Sequence, residues 1–243
     1  MGKSYFFVRT QIDNDRRSEK RKHGKKFNEE KMLKEIKNNC VECLKNPNCG
    51  EEKVFLVSSY HPQKWDFDRL QTAIMDHLPS IQKESLALSL RTHSKVVLKQ
   101  KIKILKGRVW MVAAVSVEKR FGFWPSSKYI DEKPIRDIVD SYRSQMEFPA
   151  FGSEEFNMLT NKLRRRLRRF YISQNDDLPR WLKSFDRANK YKIKTYTKYI
   201  VTNKPLPFIY YFLNLILDEM ETTALDIIDE MAKKACVVYD DSD

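Results

Sequence analysis

The residues best placed to do chemistry follow two short apolar runs. Tyr5-Phe6-Phe7-Val8 leads into Arg9-Thr10-Gln11-Ile12-Asp13, and Val54-Phe55-Leu56-Val57 leads into Ser58-Ser59-Tyr60. Uninterrupted runs of aromatic and β-branched residues predict strands buried on both faces. In an open parallel sheet, ligands bind beyond the carboxyl ends of such strands. Thr10, Gln11 and Asp13 on the first loop, with Ser58 and Ser59 on the second, are then the polar residues a ligand would meet. Taken alone, Thr10-x-x-Asp13 reads more readily as a helix cap or a turn.

Phosphate chemistry needs other residues. A loop of the form G-x-x-x-x-G-K-[ST] offers backbone N–H groups to phosphates, a Lys to the β/γ oxygens and a hydroxyl to magnesium. The six glycines nowhere form one. Gly2-Lys3-Ser4 imitates its tail but precedes a strand, whereas the loop must follow a strand and open a helix. His23, His61, His77 and His93 show neither metal spacing nor a paired nucleophile, so no catalytic residue and no metal ligand is assigned. Cys40-x-x-Cys43, with Cys49 and Cys236, lacks a second knuckle for zinc, and these thiols are read as reduced, on and beside a cytosolic helix.

Lys and Arg number 46 against 33 Asp and Glu, a formal charge of +13. That favours an anionic contact, and charge alone does not choose between phosphate, acidic lipid and nucleic acid. Arg164, Arg165, Arg166, Arg168 and Arg169 form the densest cluster and are candidates for contact with an anionic surface. Lys95, Lys99, Lys103 and Lys106 share one side of a predicted helix, which also fits the solvated face of a bundle. A hydrophobic share of 41% is enough for a real core and argues against disorder. No run of about 18 apolar residues occurs, so no membrane-spanning helix is expected. No secretory signal is expected either, and Phe6 stands where a myristoylation motif needs Ser or Thr.

The strands must be carried by helices. Asn14 to Lys26 is nearly all charged or polar and is expected to be an exposed loop. Phe27 to Leu44 has helical spacing with Asn28 as its cap, and Phe67 to Leu78 carries Leu70, Ile74 and Leu78 on one stripe. Strand, helix, strand, helix in this order indicates parallel strands. Beyond Pro79 helical periodicity takes over. Ile81 to Val117 reads as one long helix, or two meeting near Gly107, with Leu98, Ile102, Leu105 and Val109 as its stripe. Pro134 to Met146, Glu154 to Phe170 with a Ser153 cap, a short stretch around Trp181 and Phe185, and a final helix after Pro207 complete the chain. The final stripe runs Leu213, Leu217, Met220, Ala224, Ile227 or Ile228, and Met231.

Several stretches together resemble the immunity-related (interferon-inducible) GTPases. They are Tyr5-Phe6-Phe7-Val8-Arg9-Thr10 with the charged loop and the Lys31-to-Leu44 helix, and Asp66-Phe67-Asp68-Arg69-Leu70. Tyr142-Arg143-Ser144-Gln145, Ser153-Glu154-Glu155-Phe156, and Thr195-Tyr196 through Leu217-Asp218-Glu219-Met220-Glu221-Thr222-Thr223-Ala224-Leu225 extend the resemblance over most of the chain. It implies the carboxyl-terminal part of a GTP-binding domain, an α/β remnant over residues 1–79, followed by an all-helical domain over 80–243. Thr10-Gln11-Ile12-Asp13 is then similar to the guanine motif Asn/Thr-Lys-x-Asp, whose Asp accepts two hydrogen bonds from guanine N1 and N2. Val57-Ser58-Ser59-Tyr60 is similar to the loop whose amides meet guanine O6. Gln11 departs from the family's Lys, and Ser59 stands where the family often has Asn.

The resemblance implies GTP or GDP as ligand, self-assembly with relatives, and defence at internal membranes by a peripherally bound cytoplasmic protein. With no phosphate loop, magnesium site or switch segments in the sequence, unaided GTP hydrolysis is not expected. The chain is expected to be a shortened family member or an incomplete gene model. The alternative is a non-enzymatic module that docks onto anionic membranes or regulates full-length relatives. Nucleic acid, suggested by charge alone, is not the expected partner.

Overall fold

The computed structural model describes residues 5–44, 50–61, 64–118, 132–171, 181 and 205–240. The chain forms two compact units, Met1–Val97 with Met231–Asp243, and Leu98–Glu230. The division expected after residue 79 concerns domain ancestry and remains a proposal. Phe185 and Thr195-Tyr196 lie outside the described residues.

In the first unit, β1 (Phe7–Arg9) pairs in parallel with β2 (Val54–Leu56), in the register Phe7 to Val54 and Arg9 to Leu56. Parallel neighbours need a crossover. It is made by α1 (Ile12–His23), a 3-10 turn at Gly24–Lys26, α2 (Glu29–Leu44) and a second 3-10 turn at Glu51–Lys53. Asn28 caps α2 as its sequence predicts, its Oδ1 accepting from the Lys31 amide at 2.9 Å. Ile12, Met32, Val54 and Leu56 form the buried centre, with Phe7, Phe27, Leu33 and Ile36 packed around it. α3 (Phe67–Asp76) and α4 (Ser80–Ser89) follow.

Four expectations for this unit are corrected. β2 is buried along its length, but the run from Tyr5 to Val8 is not: Tyr5, ahead of β1, is 63% and Val8, within it, 45% exposed. Among the described residues β1 pairs on one edge only, so little covers it. The stretch read as a loop from Asn14 to Lys26 is instead helix α1 and the turn after it. Its order comes from charge placement: Asp13 and Asp15 in the first turn, Lys20 to His23 in the last, and a Lys22–Glu19 pair at 2.8 Å. On α3 the buried residue is Met75, while Ile74 is 36% exposed. The long helix read from Ile81 is broken at Leu90 to Ser94, not near Gly107. Ser94 Oγ accepts from the amides of Val96 and Val97 at 3.2 and 3.3 Å and so starts the next helix.

That helix is α5 (Lys95–Glu118), whose Leu98, Ile102, Leu105 and Val109 are buried as the spacing predicts. α6 (Glu132–Gln145) adds Ile135, Val139 and Tyr142 to the same core. Glu154 to Phe170 is two helices, α7 (Glu154–Met158) and α8 (Asn161–Arg168). The apolar rhythm Phe156, Leu159, Leu163, Leu167 and Phe170 runs through the break, so periodicity cannot see it. The final helix, α9 (Pro205–Asp240), buries Leu213, Leu217, Met220, Ala224 and Ile228. Its stripe stops there, because Met231 is 44% exposed.

Candidate functional site

The loop after β1 and the loop after β2 lie side by side. The Val57 amide donates to the Arg9 carbonyl at 2.9 Å, and the Ile12 amide donates to the Val57 carbonyl at 3.4 Å. Asp13 and Ser58 are each the next residue after this bonded pair, at the carboxyl ends of two parallel strands. Between Arg9 and Ile12 the chain turns sharply, with Gln11 in the left-handed region at φ 63°. For a non-glycine residue that conformation costs about 1–2 kcal/mol. The Gln11 carbonyl accepts from the amides of Asn14 and Asp15, which converts the strand end directly into α1.

Gln11 holds the cap position of α1, and Asp13 stands inside the first turn. Asp13 is therefore not the cap. Its Oδ1 is buried and has no hydrogen-bond partner. An acceptor in that state costs about 1–3 kcal/mol, and N–H donors of a ligand would relieve it. Thr10 and Gln11 are exposed beside it. Ser58 is only 1% exposed, and its Oγ accepts from the Tyr60 amide at 3.2 Å, shaping the second loop from within. Ser59 is exposed. Thr10, Gln11, Asp13, Ser58 and Ser59 thus share one end of the sheet.

Sequence reasoning missed the groups behind these loops. Glu29, the first residue of α2, accepts from Arg16 Nε at 2.9 Å and from Trp65 Nε1 at 3.0 Å, with Lys64 Nζ at 3.6 Å. Burial pushes its carboxyl up, but the Arg16 and Trp65 hydrogen bonds with the Lys64 charge outweigh this and hold it below the usual range. Glu29 and Trp65 are 36 positions apart, and no spacing rule joins them. Below them, Asp66 accepts from the Leu56 amide at 3.0 Å and pairs with Lys37 at 2.9 Å and Arg69 at 3.1 Å. Arg69 in turn donates to the carbonyls of Glu52 and Val54 and covers the Phe55 ring. The segment Asp66-Phe67-Asp68-Arg69 therefore fastens α3 to β2.

The arginine cluster on α8 divides. Arg166 pairs with Asp226, and Arg169 with Glu219 at 3.4 Å, both on α9. Arg164 donates to Asn161 Oδ1 at 2.6 Å. Arg165 and Arg168 are exposed, the latter with its guanidinium 5.4 Å from the Phe151 ring. Among the described residues no cluster of His, Cys, Asp and Glu has the grouping to hold a metal ion.

A family model described as Interferon-inducible GTPase matches residues 1–204. The chain belongs to the interferon-inducible GTPase family. Family relatives include the mouse T-cell-specific guanine nucleotide triphosphate-binding protein 2, which is 25% identical over 257 residues, or 96% of this chain. The mouse Interferon-gamma-inducible GTPase 10 is 34% identical over 46% of the chain, and the mouse Interferon-inducible GTPase 1 is 22% identical over 93%. The chain covers 57% of the first and last of these proteins and 27% of the other.

Proposed function

We propose that this family member binds the guanine base of a nucleotide between the Thr10–Asp13 loop and the Ser58–Ser59 loop. The observation that carries the reading is the buried, unpartnered Oδ1 of Asp13 beside the amides of the second loop. Guanine presents two adjacent donors, N1–H and N2–H, to a carboxylate, whereas adenine presents an acceptor at N1. The Ser58 and Ser59 amides are the donors available for O6, Thr10 and Gln11 flank the base, and Gln11 offers no cation to it. Titration of the chain with fluorescent GDP and ADP tests this. Binding of GDP but not ADP is expected, and equal affinity for both, or none, overturns it.

GTP and GDP are both admitted as ligands, because the recognised part is the base. Unaided hydrolysis is not expected, since this sequence holds no loop of the form G-x-x-x-x-G-K-[ST] to cradle a γ-phosphate. The relatives matched are longer than this chain, and the phosphate loop is proposed to be encoded outside it. Genomic DNA upstream of the start codon carrying an in-frame G-x-x-x-x-G-K-[ST] would support that. Family resemblance further supports self-assembly with relatives and action in innate defence by a cytoplasmic protein peripherally bound to internal membranes.

A second reading is a non-enzymatic module docking on anionic membranes or on full-length relatives. The exposure of Arg165 and Arg168 favours it, while Arg166 and Arg169 are engaged with α9. It requires salt-sensitive sedimentation with anionic vesicles that is lost in Arg165→Glu with Arg168→Glu. Sedimentation unchanged by that pair removes it.

A further inference from the structure

We infer that Glu29 is a positioning residue for the base site, setting the Asp13 loop and the Ser58 loop in one arrangement through Arg16 and Trp65. The inference rests on the guanine-base reading and deepens it. It starts from how weakly α1 is anchored: of its residues only Ile12 is buried. The Ile12–Val57 hydrogen bond and the Arg9–Asp15 pair at 3.1 Å hold its first turn to the end of β1 and to the second loop, and the Arg16–Glu29 pair at 2.9 Å ties the next turn to α2. Asp13 and Arg16 are three positions apart and lie on one face of α1. The Arg16–Glu29 pair at 2.9 Å therefore contributes to where the Asp13 carboxylate points.

The other Glu29 oxygen governs the second loop. Trp65 closes the segment that follows Ser58 and Ser59, in a left-handed conformation at φ 56°. Its indole N–H donates to Glu29 Oε1, its ring meets His61 edge-on at 5.9 Å, and Lys64 lies 4.9 Å from its centroid. The next amide, Asp66, returns to the Leu56 carbonyl at 3.0 Å, so the position of Trp65 is transmitted to the end of β2. Glu29 itself is fixed at the capped start of α2, where the helix dipole favours a carboxylate. One carboxylate with two oxygens thus holds one loop by each.

Base discrimination tests this in the full chain. Fluorescent GDP and IDP are titrated, hypoxanthine differing from guanine only by loss of the 2-amino donor. One hydrogen bond to a charged carboxylate corresponds to a preference for GDP of about tenfold or more. Glu29→Gln and Arg16→Ala are each expected to bring that ratio down by at least about threefold, since Asp13 no longer meets both donors. Glu35→Gln, on the exposed Lys31 pair of the same helix, keeps the ratio. A fall in folded fraction lowers both affinities and leaves the ratio unchanged, so the readout separates positioning from stability. Should Glu29→Gln not fold, Trp65→Phe, which removes one N–H, carries the test. An undiminished ratio in Glu29→Gln or Trp65→Phe, with Arg16→Ala, overturns the inference and leaves the base site standing. A wild-type chain that binds GDP no better than ADP removes both.

Discussion

The Ile12 amide donates to the carbonyl oxygen of Val57 at 3.4 Å, and this contact sets Asp13 against Ser58 at one end of the sheet. Asp13→Ala removes a buried acceptor that lacks a partner, relieving up to about 1–3 kcal/mol. It also removes an acidic group from the first turn of α1, worth about 0.3–1 kcal/mol. Urea denaturation is therefore expected to show unchanged or slightly raised stability, while guanine nucleotide affinity drops more than about tenfold. A variant that unfolds in milder urea would mean that this carboxylate serves the fold.

Lys101 is 1% exposed and donates to the Gln145 carbonyl at 3.0 Å and to Glu147 at 3.4 Å, fastening the end of α6 to α5. Burial pushes its pKa down, and the Glu147 carboxylate offsets only part of this. Between the lowered folded value and the usual 10.5, the unfolded chain binds more protons than the folded one. Stability should accordingly rise with pH through that window and be insensitive to this group below it. Lys101→Met should abolish the Lys101 part of that rise in thermal melts taken across alkaline pH.

Asp66 shows the opposite linkage. Burial raises its carboxyl, but Arg69, the Leu56 amide and Lys37 outweigh it and bring it below the usual 3.8. Its contribution is present above 3.8 and is lost as pH falls through the lower, folded value. Asp66→Asn should lower stability at pH 7 and flatten the acid limb of the profile, as followed by circular dichroism.

Helix starts in this chain differ in what holds them. Ser94 Oγ accepts from two amides and is 1% exposed, and Ser153 Oγ accepts from the Phe156 amide at 3.2 Å. Thr160 occupies the cap position of α8 with no side-chain bond, its own amide going to Glu230 at 2.9 Å. Ser94→Ala and Ser153→Ala should each cost about 1 kcal/mol or more, against under about 0.5 kcal/mol for Thr160→Ala. Equal costs in chemical denaturation would show that the cap bonds contribute nothing.

Acidic groups of α9 are held by cations from two other helices. Lys106 lies 2.6 Å from Asp218 and 3.2 Å from Glu221, and Arg169 and Arg166 pair with Glu219 and Asp226. Such half-exposed pairs are worth about 0.2–1 kcal/mol each and are screened by salt. Lys106→Met should lose about that much at low ionic strength and nearly none at about 1 M salt, where the Debye length is about 3 Å. A loss independent of salt would assign the effect to packing of the lysine stem.

Much of this was legible because burial leaves a periodic mark. Val54 to Val57 announced β2, and Leu98, Ile102, Leu105 and Val109 announced the inner face of α5. Asn28 and Ser153 were readable as caps from residue type and position. The two loops at the carboxyl end of the sheet followed from the strand ends. α1 was missed because its single buried residue leaves no period, and its only written trace is acid at the front and base at the back. The α7–α8 break was missed for the opposite reason, an apolar rhythm that survives a turn. Glu29 and Trp65 belong to another class: their meeting is made by the crossover, and local sequence does not encode it.

A helix held by few side chains also has an engineering use. Ile12 and the Arg9–Asp15 and Arg16–Glu29 pairs constrain α1, but Ser18 and Arg21 face water. Reporter groups or crosslinkers placed there would sit about one and a half to two helical turns from Asp13 without disturbing the packed interior.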